Sequence, residues 1–115
     1  MRITRLGDAQ RSFPPNHVDC ASLMLQGHAA SPTANFTVSL SHYLPTGHTT
    51  HEATPFEKVY VVVNGAITVI TDDGEATLHP FDSCRIAPDE ARTVENRTNE
   101  PASMIVIMPY PDGPR

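Results

Sequence analysis

The chain has 115 residues, a length that suits one compact domain with a small core. Hydrophobic residues make up 39% of it, too many for a disordered chain, and the net charge of −5 argues against nucleic acid as a partner, because phosphate binding needs a basic surface. Eleven prolines and only 18% charged residues favour short strands over long helices.

The amino-terminal segment is polar. Residues 1–18 contain Pro14-Pro15 and are predicted to form an arm or edge segment. They lack the apolar stretch of a signal peptide, and no segment approaches the length of a membrane span, so we expect a cytoplasmic protein without membrane binding. In that compartment Cys20 and Cys84 should be reduced and packed, although their sequence positions also leave a disulfide between them open.

Eight short apolar runs follow the arm, and each is predicted to be a β-strand. They span residues 21–26, 35–44, 58–64, 66–72, 76–79, 83–86, 92–96 and 102–108. Turn-forming sequences such as Asn64-Gly65 separate them, and no stretch shows apolar residues at helical spacing for three turns. The sequence therefore predicts an all-β sandwich or closed barrel over residues 19–110, followed by a surface tail at 111–115.

The run that begins at Phe36 alternates between two kinds of side chain. One parity carries Phe36, Val38, Leu40 and His42, whereas the other carries hydroxyl residues. If the apolar parity faces the interior, His42 points inward with it and becomes a candidate substrate-binding residue. Residues 59–63 and 104–108 are apolar at both parities, which indicates strands that are covered on both faces.

Two stretches resemble the motifs of the cupin superfamily. The first motif of the family reads G-x5-H-x-H, then three or four residues, then E-x6-G, and it matches residues 45–65, PTGHTTHEATPFEKVYVVVNG. The second motif reads G-x5-P-x-G-x2-H-x3-N, and it matches residues 81–96, FDSCRIAPDEARTVEN. Gly65, Pro88 and Asn96 stand at the matching positions. The resemblance implies a single cupin jelly-roll β-barrel built from two antiparallel sheets.

The metal-binding positions of these motifs are mostly replaced. In the family, two histidines and a glutamate of the first motif and a histidine of the second hold one divalent metal. Here His51 occupies the first position, but Ala53 occupies the second. The glutamate position falls on Lys58, and the last histidine has become Arg92. Asp89 replaces the turn glycine of the second motif, which Asp can do because it tolerates a left-handed backbone.

The motif register places two cations inside the barrel. Arg92 and Lys58, with His51, would form a pocket that attracts a small anionic molecule, because a guanidinium binds a carboxylate through two hydrogen bonds. Tyr60 shares the parity of Lys58 and, with His42, would line the same pocket. We predict a metal-free isomerase, lyase or decarboxylase in which the two cations and the histidine are catalytic, similar to metal-free sugar epimerases of the family.

Two other functions remain open. A metal-dependent dioxygenase or decarboxylase would hold one divalent ion with His48, His51 and Glu57, where Glu57 would need a bulge to turn inward. A non-catalytic barrel would bind or sense a small ligand, with Lys58 and Arg92 in the cavity or solvated at the surface. In every case the resemblance implies a homodimer, in which the arm covers a sheet edge.

Overall fold

The computed structural model describes residues 1–115 and is built from nine β-strands, with one turn of 3-10 helix at Leu6–Asp8. The strands are β1 (Gln10–Ser12), β2 (His17–Gln26), β3 (Phe36–Thr49), β4 (Lys58–Asn64), β5 (Ile67–Thr71), β6 (Gly74–Leu78), β7 (Ser83–Ile86), β8 (Arg92–Glu95) and β9 (Ala102–Pro109). The predicted all-β fold is confirmed. A helix of the length and apolar character needed to cross a bilayer does not occur in the structure.

The strands form two antiparallel layers that share β3. Their order is β6-β5-β8-β3-β9-β4-β7, and β1 and β2 extend from β3 on a side branch. Residues 36–43 of β3 pair with β9, whereas His48 pairs with Glu95 of β8. One long strand therefore runs through both layers, and the result is the jelly-roll barrel that the motifs imply. The arm contributes β1 and the start of β2 to this sheet.

The hydrophobic core fills the space between the layers. Its ten buried members are Tyr43, Tyr60, Val62, Ile67, Val69, Leu78, Ile86, Val94, Ala102 and Met104. They occupy alternate positions on their strands, as pleated backbones require, and each large one stabilises the fold by about 1.5–3 kcal/mol. Tyr43, Tyr60 and Met104 also form part of the wall of a cavity described below.

The motif turns have the conformations that their residues predict. Gly65 has φ +73°, and a Cβ at this position would lie 2.9 Å from the Cα of Ala102 and 2.9 Å from the carbonyl oxygen of Pro101. No other residue fits there without a shift of the backbone. Asp89 has φ 62°, so the left-handed turn survives the loss of glycine.

The buried Asn96 joins three segments of the chain. Its amide nitrogen donates to the carbonyl oxygens of Tyr43, over 3.0 Å, and of Glu100, over 2.7 Å. Its amide oxygen accepts from the backbone nitrogen of Thr98 at 2.9 Å and from the hydroxyl of the same residue at 2.7 Å. All polar atoms of this side chain are thereby satisfied, which explains why the motif ends on asparagine.

The prediction that the apolar face of β3 points inward is wrong. The inward residues are Thr37, Ser39, Ser41 and Tyr43, all of which line the cavity. Phe36, at the opposite parity, is 48% exposed. The physical reason is that this part of the barrel encloses a polar cavity, so the hydroxyl face of the strand lies inside and the apolar face lies outside.

That outward parity continues across the neighbouring strands. Leu23, Leu40, Ile105 and Val61 are register partners in one row across β2, β3, β9 and β4. Val38, Ile107 and Val59 form a second row beside it. We call these seven residues the outer apolar face; each is only partly buried.

Candidate functional site

A cavity of about 280 Å³ lies inside the barrel. This volume is near the lower end of the range of about 300–1,000 Å³ that is typical of small-molecule sites. Residues of the arm, including Pro14, Pro15 and His17, contribute to its wall. The ionisable or hydroxyl side chains that line it are Ser12, His17, Ser22, His28, Thr37, Ser39, Ser41, Tyr43, Glu52, Thr54, Lys58, Tyr60 and Arg92.

The structure brings Lys58, Arg92 and Tyr60 together in this cavity, at the positions that the motif register predicts. Lys58 is 6% exposed and Arg92 is 5% exposed. Neither side chain takes part in any of the ion pairs of the chain. Two cations therefore share one small cavity, and neither has an ion-pair partner.

Arg92 is held by both its backbone and its side chain. Its backbone nitrogen donates to the Glu52 carbonyl oxygen at 3.0 Å, and the Glu52 nitrogen donates back to the Arg92 carbonyl at 3.2 Å. In the side chain, Nε donates to the Tyr60 hydroxyl at 2.9 Å and Nη1 donates to the Thr50 carbonyl at 3.4 Å. A guanidinium has five N–H donors, so the remaining donors are available to a bound anion.

Lys58 lies in an environment that disfavours its charge. The pKa of Lys58 is lowered from 10.5 to about 8. Burial is the largest cause, the positive charge of Arg92 adds to it, and the negative charge of Glu52 opposes it. Nζ lies 5.6 Å from the centre of the Phe56 ring and makes no hydrogen bond to the protein. This amine therefore loses its proton more readily than a solvated lysine does.

Glu52 is the single carboxylate that lines the cavity. The Asn16 side-chain nitrogen donates to its Oε2 at 3.0 Å, which orients the carboxylate from the arm. In the structure its charge lies close enough to Lys58 and His17 to influence both pKa values.

His17 is a cavity residue that the sequence did not single out. Its Nδ1 lies 2.8 Å from the Pro15 carbonyl oxygen and must donate to it, so Nε2 is the basic nitrogen of the neutral ring. Burial lowers the pKa of His17; Arg92 and Lys58 act in the same direction, against Pro15 and Glu52. His17 lies in the arm, outside both motifs, and only the pairing of β2 with β3 brings it to the cavity.

Two predicted pocket histidines lie outside the cavity. His51 is exposed; its Nε2 donates to Asp72 Oδ1 at 3.0 Å, and its Nδ1 lies 2.9 Å from the Thr93 hydroxyl. His42 is on the outward parity of β3, where its Nδ1 lies 2.8 Å from the hydroxyl of Ser103. The register of β3 and the contact of His51 with the β5–β6 turn direct both rings away from the interior.

The three predicted metal ligands are not brought together. The Nδ1 of His48 donates to the Thr46 carbonyl at 2.9 Å, and Glu57 is paired with Arg85. Glu57 directly precedes β4, which pairs with β7 in regular register from Lys58, so no bulge turns its carboxylate inward. Nowhere does the chain gather three His, Cys, Asp or Glu side chains that could hold an ion. These residues do not fit the metal site of the motifs.

Both cysteines are free thiols. The Cys20 Sγ donates to the Val18 carbonyl oxygen at 3.0 Å, and burial raises the pKa of this thiol to about 11. Cys84 packs against the hydrophobic core, and burial raises its pKa as well. The expectation of two reduced, packed thiols agrees with this arrangement.

Comparisons with known proteins agree with the fold. A family model described as a cupin domain matches residues 39–108. A protein of Mycobacterium tuberculosis named beta-D-galactosidase Rv1717 is 37% identical over 111 residues, which is 96% of each chain.

Solved structures give the same picture. The polyketide cyclase RemF of Streptomyces resistomycificus superposes with a TM-score of 0.84 at 15% identity, over 95% of this chain and 79% of the other. A sugar phosphate isomerase of Silicibacter pomeroyi, from a cupin superfamily, has a TM-score of 0.76 at 23% identity, over 92% and 74%. At these identities the likeness shows the fold alone.

Proposed function

This chain belongs to the cupin domain family, whose relatives include proteins named as enzymes, and we propose that it is an enzyme acting on a small anionic molecule in its cationic cavity. One observation carries the proposal: Lys58 and Arg92 are both buried in a cavity that contains a single carboxylate, Glu52. Buried charge without a partner is unfavourable, so an anionic ligand would be stabilised there.

The cavity residues suit proton transfer next to a carbonyl group. Arg92 would bind the carboxylate or phosphate of the substrate through its free donors. Neutral His17 would accept a proton from carbon, a role that we assign to it in place of His51. Lys58 would stabilise the negative charge that develops on the enolate. This division of roles supports an isomerase, lyase or decarboxylase, and no step in it requires a metal.

A binding assay and an exchange assay test the proposal together. Small carboxylates and phosphorylated sugars are titrated by calorimetry, and the ligands that bind are then followed by NMR for deuterium exchange at the carbon next to the carbonyl. We expect Arg92→Gln to weaken binding by about tenfold or more. Arg85→Gln is the matched control, because Arg85 is exposed and lies outside the cavity.

Two results would contradict the proposal. Loss of turnover in EDTA, restored by iron or another divalent ion, would favour the metal-dependent alternative. Tight binding of a ligand that never exchanges or reacts would favour the binding or sensing barrel.

Hydrolysis of β-galactosides is the second candidate. The 37% identity to the protein named beta-D-galactosidase, over 96% of both chains, favours it. Most glycosidases use two carboxylates, whereas this cavity has only Glu52, which would have to protonate the leaving group. Release of nitrophenol from nitrophenyl β-D-galactoside by the wild type, lost in Glu52→Gln and retained in Glu57→Gln, would establish this candidate.

A second copy of the chain would cover the outer apolar face. Its seven aliphatic side chains lie in register on four strands and are only partly buried. Two of these strands, β4 and β9, are apolar on both faces, and such strands are normally covered on both. Contiguous apolar patches of this kind mark interfaces. A two-fold dimer would bury the same face of each copy, which supports the expected homodimer.

A further inference from the structure

The chain contains one lysine. Of its eight Lys and Arg residues, only Lys58 is a lysine. Lysine is normally a surface residue, yet this one is 6% exposed and lines the cavity. The only side-chain primary amine of the protein therefore lies in the candidate active site.

The amine is unpaired but not sealed within the protein. The side chain of Lys58 makes no hydrogen bond and no ion pair. Every side-chain nitrogen or oxygen that is fully buried in this structure has a hydrogen-bond partner, so the unpaired Nζ is not fully buried. Nζ therefore keeps some exposure to solvent, and Lys58 is one of the residues that line the cavity. Such an amine can meet a ligand directly.

We propose that Lys58 is a nucleophile that forms an imine with the carbonyl carbon of a small oxo acid whose carboxylate is bound by Arg92. This inference rests on the proposed function and names its substrate class. It adds a covalent step, in which Lys58 does more than stabilise charge. Two observations support it: Lys58 and Arg92 line the same cavity close to each other, and Glu52 is the only carboxylate in that cavity.

The environment favours the nucleophilic form of the amine. Burial and the neighbouring guanidinium lower the pKa of Lys58 to about 8, and desolvation beside a second cation is a known way to activate lysine for imine formation. The Phe56 ring, 5.6 Å from Nζ, adds an apolar wall. Arg92 would thus both activate the amine and bind the acid group.

The chemistry balances without an oxidant or reductant. The lone pair of neutral Nζ forms a bond to the carbonyl carbon, and the π electrons move to oxygen, which takes up a proton. Loss of water gives the protonated imine, which can accept an electron pair when a proton or CO2 leaves the neighbouring carbon. Protonation of the resulting enamine and hydrolysis by water release the product and restore the amine; His17 is placed in the same cavity to carry the proton.

Reductive trapping tests the proposal. The protein is incubated with pyruvate or acetoacetate, reduced with sodium borohydride, and analysed by intact mass and peptide mapping. The amino terminus is the only other amine and serves as an internal reference for unselective labelling. We expect an adduct on Lys58 that is absent in Lys58→Arg, falls about tenfold or more with carboxylate-free acetone, and forms faster as the pH rises through about 8.

The outcomes separate the two proposals. If calorimetry shows that either oxo acid binds but no adduct maps to Lys58, the imine is overturned and the anion-binding enzyme stands. The imine proposal is also overturned if only the amino terminus is labelled, or if acetone labels Lys58 as well as the oxo acids do. Both results come from the wild-type protein, so they do not depend on whether Lys58→Arg folds. If no carboxylate or phosphate binds, both proposals fail.

Discussion

Arg92 Nε donates a hydrogen bond to the Tyr60 hydroxyl over 2.9 Å, and both side chains are buried in the cavity wall. Burial raises the pKa of Tyr60 and Arg92 opposes that rise, so the phenol is protonated and accepts from the guanidinium. This contact sets the orientation of the remaining Arg92 donors. The position at which an anion could bind therefore depends on Tyr60.

Tyr60→Phe should weaken both folding and anion binding. Nε would lose its partner in a buried site, which costs about 1–3 kcal/mol in the free energy of unfolding. Carboxylate affinity should fall as the guanidinium reorients. Urea unfolding and calorimetry measure the two effects.

Tyr110→Phe is the control for this variant. Tyr110 is equally buried, and its hydroxyl accepts from the His28 nitrogen at 3.1 Å, but it does not line the cavity. The Tyr110→Phe variant should lose stability while its affinity for the carboxylate ligand is unchanged. An equal loss of affinity in both variants would show that Tyr60 has no special role at the site.

Lys58→Met should change how stability depends on pH. The pKa of Lys58 is lowered from 10.5 to about 8, so between these values the unfolded chain binds more protons than the folded one. By linkage, the wild type should gain about 2 kcal/mol of unfolding free energy relative to Lys58→Met as the pH rises from about 7.5 to about 10. This gain should be lost again as the pH falls through about 8.

Urea titrations across this pH range measure the difference. Tyrosine ionisation occurs in both proteins and cancels. A pH-independent difference between the two proteins would mean that the Lys58 amine is solvated and titrates normally in the folded state.

His17→Gln should remove proton transfer. Because the pKa of His17 is lowered, the ring is neutral at pH 7 and can act as a base. We expect the rate of deuterium exchange in His17→Gln to fall by about 100-fold or more. In the wild type, the rate should decrease on the acid side only below pH 6.5, because the pKa of His17 is lowered from that value. His79→Gln, on the exposed surface, should match the wild type.

His51→Gln decides between the two assignments of the base. His51 is tied to Asp72 and Thr93 outside the cavity. A loss as large as that in His17→Gln would return the catalytic role to His51.

Ile105→Glu should dissociate the expected homodimer. A carboxylate in the middle of the outer apolar face would be buried without a partner in the dimer, at a cost of several kcal/mol. Sedimentation analysis should show a dimer for the wild type and a monomer for the variant. Ala76→Glu on the exposed β6 is the control. A wild-type protein that remains monomeric at every concentration would remove the dimer proposal.

The sequence by itself determined most of the strands, the turns and, through the motif resemblance, the inward direction of two cations; it missed β1 and the full length of β2 and β3. Alternating apolar runs, the glycine at Gly65 and the left-handed Asp89 depend on local backbone geometry, so they can be inferred from neighbouring residues. The motif spacing then placed Lys58 and Arg92 on the parity that faces the interior. Both lie in the cavity of the structure.

Only the tertiary structure decided which other groups join them. His17 and Glu52 come from the arm and from a loop, and the pairing of β2 with β3 and of Glu52 with Arg92 brings them to the site. The face that β3 presents to the interior was also beyond local reasoning. Parity separates the two faces of a strand, but whether the interior is an apolar core or a polar cavity depends on side chains contributed by several strands at once.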